Sequence, residues 1–143
     1  MCIRDSFDTV VSKAELYSNH THIVFALSSF NNLVKNGRMS KIVGFVANKL
    51  GFWGIGIGSK QGTIEIKQKI RGSKKALDAI IDDMKERGYN CGKVVISHCR
   101  NAEFAESVKS AIQSVWDKAE VKIVHARGLC SYYAEKGGLI IGF

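Results

Sequence analysis

The sequence predicts an α/β fold: a mixed sheet with a β-hairpin and a parallel βαβ unit, helices packed on the sheet. Three observations predict it. "FWGIGIG" and "TIEIKQKI" alternate like strands on either side of the turn signal "SKQG", which is the pattern of a hairpin. "KVVISH" and "VKIVHA" flank the helical stretch "AEFAESVKSAIQSVW", and strand–helix–strand over that length implies two parallel strands with a right-handed crossover. A final apolar run, "GLIIGF", supplies one more strand.

In chain order, the first six residues, "MCIRDS", carry neither a helical nor a strand period and no capping logic. Arg4 and Asp5 interrupt any apolar core that a signal peptide would need. The six read as the translation of a sequencing-library adapter, so residues 1–6 are expected to be non-native and the true start to lie upstream. "FDTVVSKAELY" then begins as though a helix had been joined part-way. "IVFAL", within "HTHIVFALSS", is a short continuous apolar run, consistent with a strand buried on both faces. Ser28 or Ser29 is expected to cap a short helix, "FNNLVKN", stopped by Gly37. Ser40 is expected to cap a second helix, "KIVGFVANKLG", with Ile42, Phe45, Val46 and Leu50 at helical spacing.

Gly54, Gly56 and Gly58 fall on one face of the first hairpin strand and leave it bare. Close packing against a helix is the favoured account, ahead of a ligand. Ser73 is expected to cap the clearest helix, with a buried stripe of Leu77, Ile80, Ile81 and Met84 and a stop at Gly88. Asp82, Asp83 and Glu86 are assigned to its exposed face. Asn101 is expected to cap the crossover helix.

Totals bound the function. A chain of 143 residues fits one core, and 45% hydrophobic with 24% charged residues is ordinary for a soluble fold. No apolar run approaches the roughly 18 residues of a membrane span, so stable membrane insertion is not expected and the cytoplasm is the default. Cys2, Cys91, Cys99 and Cys130 form no Cys-x-x-Cys pair, which disfavours a zinc ribbon, and they read as free thiols. The formal charge of +8 favours an anionic partner without choosing among nucleic acid, lipid headgroup and acidic protein.

Ligands of open α/β sheets collect beyond the carboxyl ends of parallel strands. Here that neighbourhood holds His98, Cys99, Arg100, Arg127, Cys130, Ser131 and Tyr133. The helix starts after Ser73 and Asn101 could offer backbone N–H groups to an anion. A Cys99 nucleophile beside His98 is disfavoured, because neighbours on a strand point to opposite faces. Ser131 lacks a nucleophile-elbow motif. The basic clusters "KNGRMSK" and "KIRGSKK" each lead through a turn into a helix. For Arg38 and Arg71, beside glycine turns, anion recognition and a merely solvated face weigh about evenly.

Four blocks, "SSFNNLVKNGRMSK", "GTIEIKQKIRGSKKAL", "KVVISHCRNAEFAESVK" and "RGLCSYYAEKGGLIIGF", together resemble the DegV family, in the family's order and over nearly everything from residue 16 on. The resemblance implies a bacterial lipid-binding protein that holds a fatty acid and presents its carboxylate to a fatty acid kinase. It would not itself be an enzyme and would need no cofactor or metal. It also implies two domains meeting at the headgroup. Residues 16–143 then correspond to the carboxy-terminal domain, residues 7–15 to the end of an inter-domain segment, and the amino-terminal domain is missing. A headgroup role is carried over to Arg38, with Tyr133 and Ser131 beside it. Arg71, Lys74 and Lys75 are candidates for partner or anion contact. Tyr133 stands where the family often has a histidine, and a neutral phenol can donate a hydrogen bond but supplies no charge. The alternatives are a basic nucleic-acid-binding domain, which lacks an exposed aromatic platform here, and an enzyme using His98 or Cys99.

Overall fold

The structure, a computed structural model, describes residues 5–38, 52–59 and 64–143. The helix expected after Ser40, most of the "SKQG" turn and residues 1–4 lie outside the described residues. The elements are α1 (Phe7–Asn19), β1 (Ile23–Leu27), α2 (Asn31–Lys35), β2 (Phe52–Gly58), β3 (Ile64–Arg71), α3 (Ser73–Glu86), β4 (Lys93–His98), α4 (Ala102–Val115), β5 (Glu120–His125), α5 (Gly128–Ala134) and β6 (Leu139–Gly142).

The strands form one sheet in the order β3-β2-β1-β6-β4-β5. β2 and β3 are the expected antiparallel hairpin, and β4 and β5 the expected parallel pair. β6 inserts between β1 and β4, antiparallel to both, and so joins the two halves. Strand alternation divides the apolar residues between two faces. Val24, Ala26, Ile55, Val94, Ile96, Leu139 and Ile141 join α3 and α4 in the larger core. Phe25, Leu27 and Ile140 point the other way, toward Phe30, Leu33 and Ala134.

The hairpin carries a bulge. Ile55 pairs with Gln68 but Gly56 pairs with Ile66, which leaves Lys67 without a partner on β2. One extra residue reverses which face the following side chains take. Ile64 and Ile66 therefore pack with the smaller cluster, while Ile70 packs with Trp53 on the larger core. The bulge also aims Lys67 at α3, where its Nζ lies 2.9 Å from Asp83 Oδ1 and 3.2 Å from Glu86 Oε2.

This overturns one expectation. Asp83 is not on the exposed face of α3; it is only 5% exposed and is also gripped by Arg87 Nε at 2.7 Å. A carboxylate can be buried there because two cations meet it.

The helix stops agree with the sequence, while the starts differ. At the end of α3, Gly88 has φ 75°, its N–H donates to Lys85 O, and the Tyr89 N–H donates to Met84 O. This is a Schellman turn, which needs the left-handed conformation that glycine adopts without strain. Ser73, however, is already helical, and no side chain caps α3. Asn101 stands at the N-cap of α4, but its side chain donates to Gly137 O at 2.7 Å instead of capping. Neither Ser28 nor Ser29 caps α2; Phe30 occupies the N-cap position. Ser6, by contrast, does cap: its Oγ accepts the Thr9 N–H at the start of α1. α1 runs through the domain boundary expected at residue 16, and none of its residues is buried.

Candidate functional site

The glycine face of β2 is where the site begins. At Gly54 a Cβ would meet Phe30 Cζ at 2.2 Å, and at Gly56 it would meet Glu65 O at 2.3 Å and the Phe25 ring at 2.5 Å. Close packing, the favoured account, therefore holds for these two positions. The packing partners are aromatic rings and a neighbouring strand. At Gly58 nothing among the described residues lies within 4 Å of a Cβ. The space it leaves belongs to a groove of about 190 Å³ lined by Phe25, Leu27, Leu33, Gly58, Ile64 and Ile140, with Ile23, Tyr133 and Ala134 completing the wall. The surface these residues turn to the groove is wholly apolar, which suits a hydrocarbon.

A cation stands beside this groove. Gly37 (φ 67°) ends α2 in a second Schellman turn, in which the Gly37 N–H donates to Val34 O and the Arg38 N–H to Leu33 O. That turn delivers Arg38 next to Tyr133, a residue of the groove wall. Arg38 Nε donates to the Tyr133 hydroxyl at 3.1 Å, and the guanidinium carbon lies 5.1 Å from the ring centroid. An arginine carries five donors, and this bond uses one. No ion pair with Arg38 is found among the described residues. An apolar slot with a guanidinium and a phenol at its side has the chemistry to hold an amphiphile whose polar end is an anion.

The two short helices flanking the groove are tied together. Glu135, just past α5, accepts the Ser29 hydroxyl on one carboxylate oxygen at 2.5 Å and the Asn32 N–H on the other at 2.7 Å. It thus supplies the N-terminal partner of α2 that the serines were expected to supply. Asn32 and Asn36 donate to the Tyr132 carbonyl and hydroxyl at 2.8 and 3.0 Å. Glu135 adopts φ 52°, ψ 177°, a conformation almost confined to glycine. Holding it there costs about 1–3 kcal/mol.

The remaining candidates lie as follows. Ser131 is on α5 with Tyr133, but its hydroxyl donates to Gly128 O within its own helix. Arg71, Lys74 and Lys75 are exposed around the start of α3, whose packing is to the opposite face of the sheet from the groove. Ser73 and Asn101, whose helix starts were read as possible anion donors, do line one shallow cleft together, but Glu103 lines it too. His98 and Cys99 do not pair. His98 is 3% exposed, lies against His125 with ring centroids 4.5 Å apart and the rings tilted by 53°, and accepts the Asn101 N–H on Nδ1. Burial, and then the neighbouring His125, pushes its pKa down. Cys99 turns into the smaller cluster, with Sγ 3.8 Å from Ser131 O. Among the described residues no group of three or more metal-ligating side chains occurs, and no helix is long and apolar enough to cross a membrane.

Sequence reasoning missed Glu135 and most of the groove wall. The bare glycine face was a real signal for the groove. Glu135, between Ala134 and Lys136, gives no local sign that its carboxylate meets a helix over 100 residues earlier.

Comparison with known proteins bears on this geometry. A family model described as "Uncharacterised protein, DegV family" matches residues 4–143. A DegV domain-containing protein of Streptococcus pyogenes serotype M3 is 42% identical over 138 residues, covering 96% of this chain and 49% of that protein. One from Streptococcus pneumoniae strain R6 is 39% identical with the same coverage. The chain therefore spans about half the length of the curated relatives it matches. Among solved structures, the Streptococcus pneumoniae fatty acid kinase (Fak) B3 protein loaded with linoleic acid superposes with a TM-score of 0.93 at 39% identity, covering 97% of this chain and 50% of that one. A DegV family protein from Eubacterium eligens loaded with heptadecanoic acid superposes with a TM-score of 0.92 at 36% identity, covering 96% and 50%. With a family match over nearly its whole length and a sheet, hairpin and βαβ unit shared with these structures, the chain belongs to the DegV family.

Proposed function

We propose that this chain is a fatty-acid-binding domain whose groove takes an acyl chain and whose Arg38–Tyr133 pair receives the carboxylate. The observation that carries the reading is the contact of Arg38 with Tyr133 at the wall of an apolar groove. The fatty acids held by the two structural relatives support it. The name of the pneumococcal relative supports a place in a fatty acid kinase system. In that role the domain is not itself an enzyme: it presents the carboxylate, and a partner kinase transfers the phosphoryl group. Ser131 is a further headgroup candidate, and Arg71, Lys74 and Lys75 are candidates for contact with the kinase or an anion. No nucleic acid, cofactor or stable membrane insertion enters this function, which is carried out in the cytoplasm. Residues 16–143 form the carboxy-terminal unit, and a preceding domain completes the headgroup site.

The test is fatty acid affinity in a protein of the relatives' full length carrying this domain. A guanidinium hydrogen bond to a carboxylate is worth about 1.5–3 kcal/mol. Arg38→Ala is expected to weaken binding of linoleic or heptadecanoic acid by about tenfold or more. Unchanged affinity would remove Arg38 from the site. The isolated chain is expected to bind more weakly than the full-length protein, since a buried carboxylate lacking some of its partners is costly. Equal affinity would place the whole site within this domain.

A further inference from the structure

Glu135 has no part in the function proposed above, yet it combines two features that are seldom found together. Its backbone sits at φ 52°, ψ 177°, where a side chain is disfavoured, and both of its carboxylate oxygens are engaged. Strain of this kind persists only where the surroundings over-determine it. Here the surroundings are the Ser29 hydroxyl and the Asn32 N–H, both at the start of α2.

The two helices joined by this carboxylate carry the two halves of the headgroup pair. Tyr133 lies on α5, two residues before Glu135. Arg38 lies just past α2, fixed to it by the bond from its N–H to Leu33 O. Leu33 of α2 and Tyr133 of α5 also both line the groove. The turn after Glu135 is anchored in turn to the end of β4, through Gly137 N–H to Cys99 O and Asn101 Nδ2 to Gly137 O. A continuous chain of hydrogen bonds thus runs from the sheet through Glu135 to α2 and Arg38. Arg38 itself is exposed and has no carboxylate partner among the described residues.

We infer that Glu135 is a positioning residue: by bracketing Ser29 and Asn32 it holds α2 against α5 and so sets the Arg38 guanidinium beside Tyr133 for an anionic headgroup. This rests on the headgroup reading of Arg38. With both oxygens already occupied, the carboxylate can do so without competing for the guanidinium.

The experiment compares binding of linoleic acid with that of linoleyl alcohol, which keeps the chain and lacks the charge, in the full-length protein. Glu135→Gly relieves the backbone strain and deletes the carboxylate, so folding is expected to survive; Ser29→Ala removes one of the two bracket bonds and serves as a milder variant. The expected result is a fall of about tenfold in the preference for acid over alcohol in Glu135→Gly, a smaller fall in Ser29→Ala, and little change in alcohol binding. A merely structural role would weaken both ligands alike, and that outcome overturns the inference. So does a preference equal to that of the unaltered protein. Arg38→Ala, measured alongside, separates the two ideas. If it leaves the preference unchanged, the headgroup reading fails. If it abolishes the preference while Glu135→Gly does not, only the positioning role fails.

Discussion

The glycines of β2 make a sharp test, because the same substitution has opposite consequences two residues apart. A Cβ at Gly56 would lie 2.3 Å from the Glu65 carbonyl oxygen and 2.5–2.7 Å from two atoms of the Phe25 ring. The ring can rotate a little, but the carbonyl belongs to the neighbouring strand of the ladder and cannot move without breaking the hairpin register. Overpacking costs about 1–3 kcal/mol, and backbone involvement puts Gly56→Ala at the upper end, about 3 kcal/mol. At Gly58 a Cβ meets nothing within 4 Å among the described residues, and φ is not positive. Gly58→Ala should be neutral, or stabilising by about 0.4–1 kcal/mol through a less flexible unfolded chain. With a urea dependence of about 2 kcal/mol per M, Gly56→Ala lowers the unfolding midpoint of the 143-residue chain by about 1.5 M, and Gly58→Ala leaves it unchanged or slightly raised. Circular dichroism of the two variants and the parent chain in urea measures this directly. A Gly56→Ala midpoint equal to that of the parent, or an equal loss at Gly58, would refute the assignment of the glycine face to close packing at one end and open groove at the other.

Two further outcomes follow from buried charge. Asp83→Ala removes the buried carboxylate that Lys67 and Arg87 share and leaves Lys67 with Glu86 alone. The full cost of breaking a buried pair is about 3–5 kcal/mol, and since Lys67 keeps contact with water the expected loss is about 2–3 kcal/mol, read as a lowered denaturation midpoint. His98 has a folded-state pKa below its ordinary value, through burial first and His125 second. The unfolded chain therefore binds a proton more readily, so His98 contributes stability that is present above about pH 6.5 and lost as the pH falls toward its lowered value. Thermal unfolding at pH 7.5 and 5.5 should show an acid loss that shrinks in His98→Gln; an equal loss in that variant would assign the effect elsewhere.

The elements that were legible in the sequence are those whose signal is local. Alternation in "FWGIGIG" and the apolar run "KVVISH" mark strands because side-chain direction repeats every two residues, and β2 and β4 lie where those patterns put them. The stops of α2 and α3 were readable because Gly37 and Gly88 satisfy a backbone demand that few other residues meet. The helix starts were less legible. Serine and asparagine can cap, but they can equally donate to a distant carbonyl, as Asn101 does to Gly137.

By itself, then, the sequence determined the strands, the hairpin, the parallel βαβ unit, the helices α1 to α4 and the turn that presents Arg38, since each is marked by a pattern within its own segment or the next; α5, Gly128–Ala134, was not legible. Only the tertiary structure decided three other matters. The bulge at Lys67 turned Ile70 to the opposite face from Ile66 and drew Asp83 into burial, which no periodicity on α3 could signal. The division of Val24 and Ala26 from Phe25 and Leu27 between a helix-covered core and a groove depended on which elements packed where. The capping of α2 by Glu135 joined residues over 100 positions apart. The physical reason is common to all three: burial and charge pairing are won from partners remote in sequence, and local propensity carries no information about which remote partner arrives.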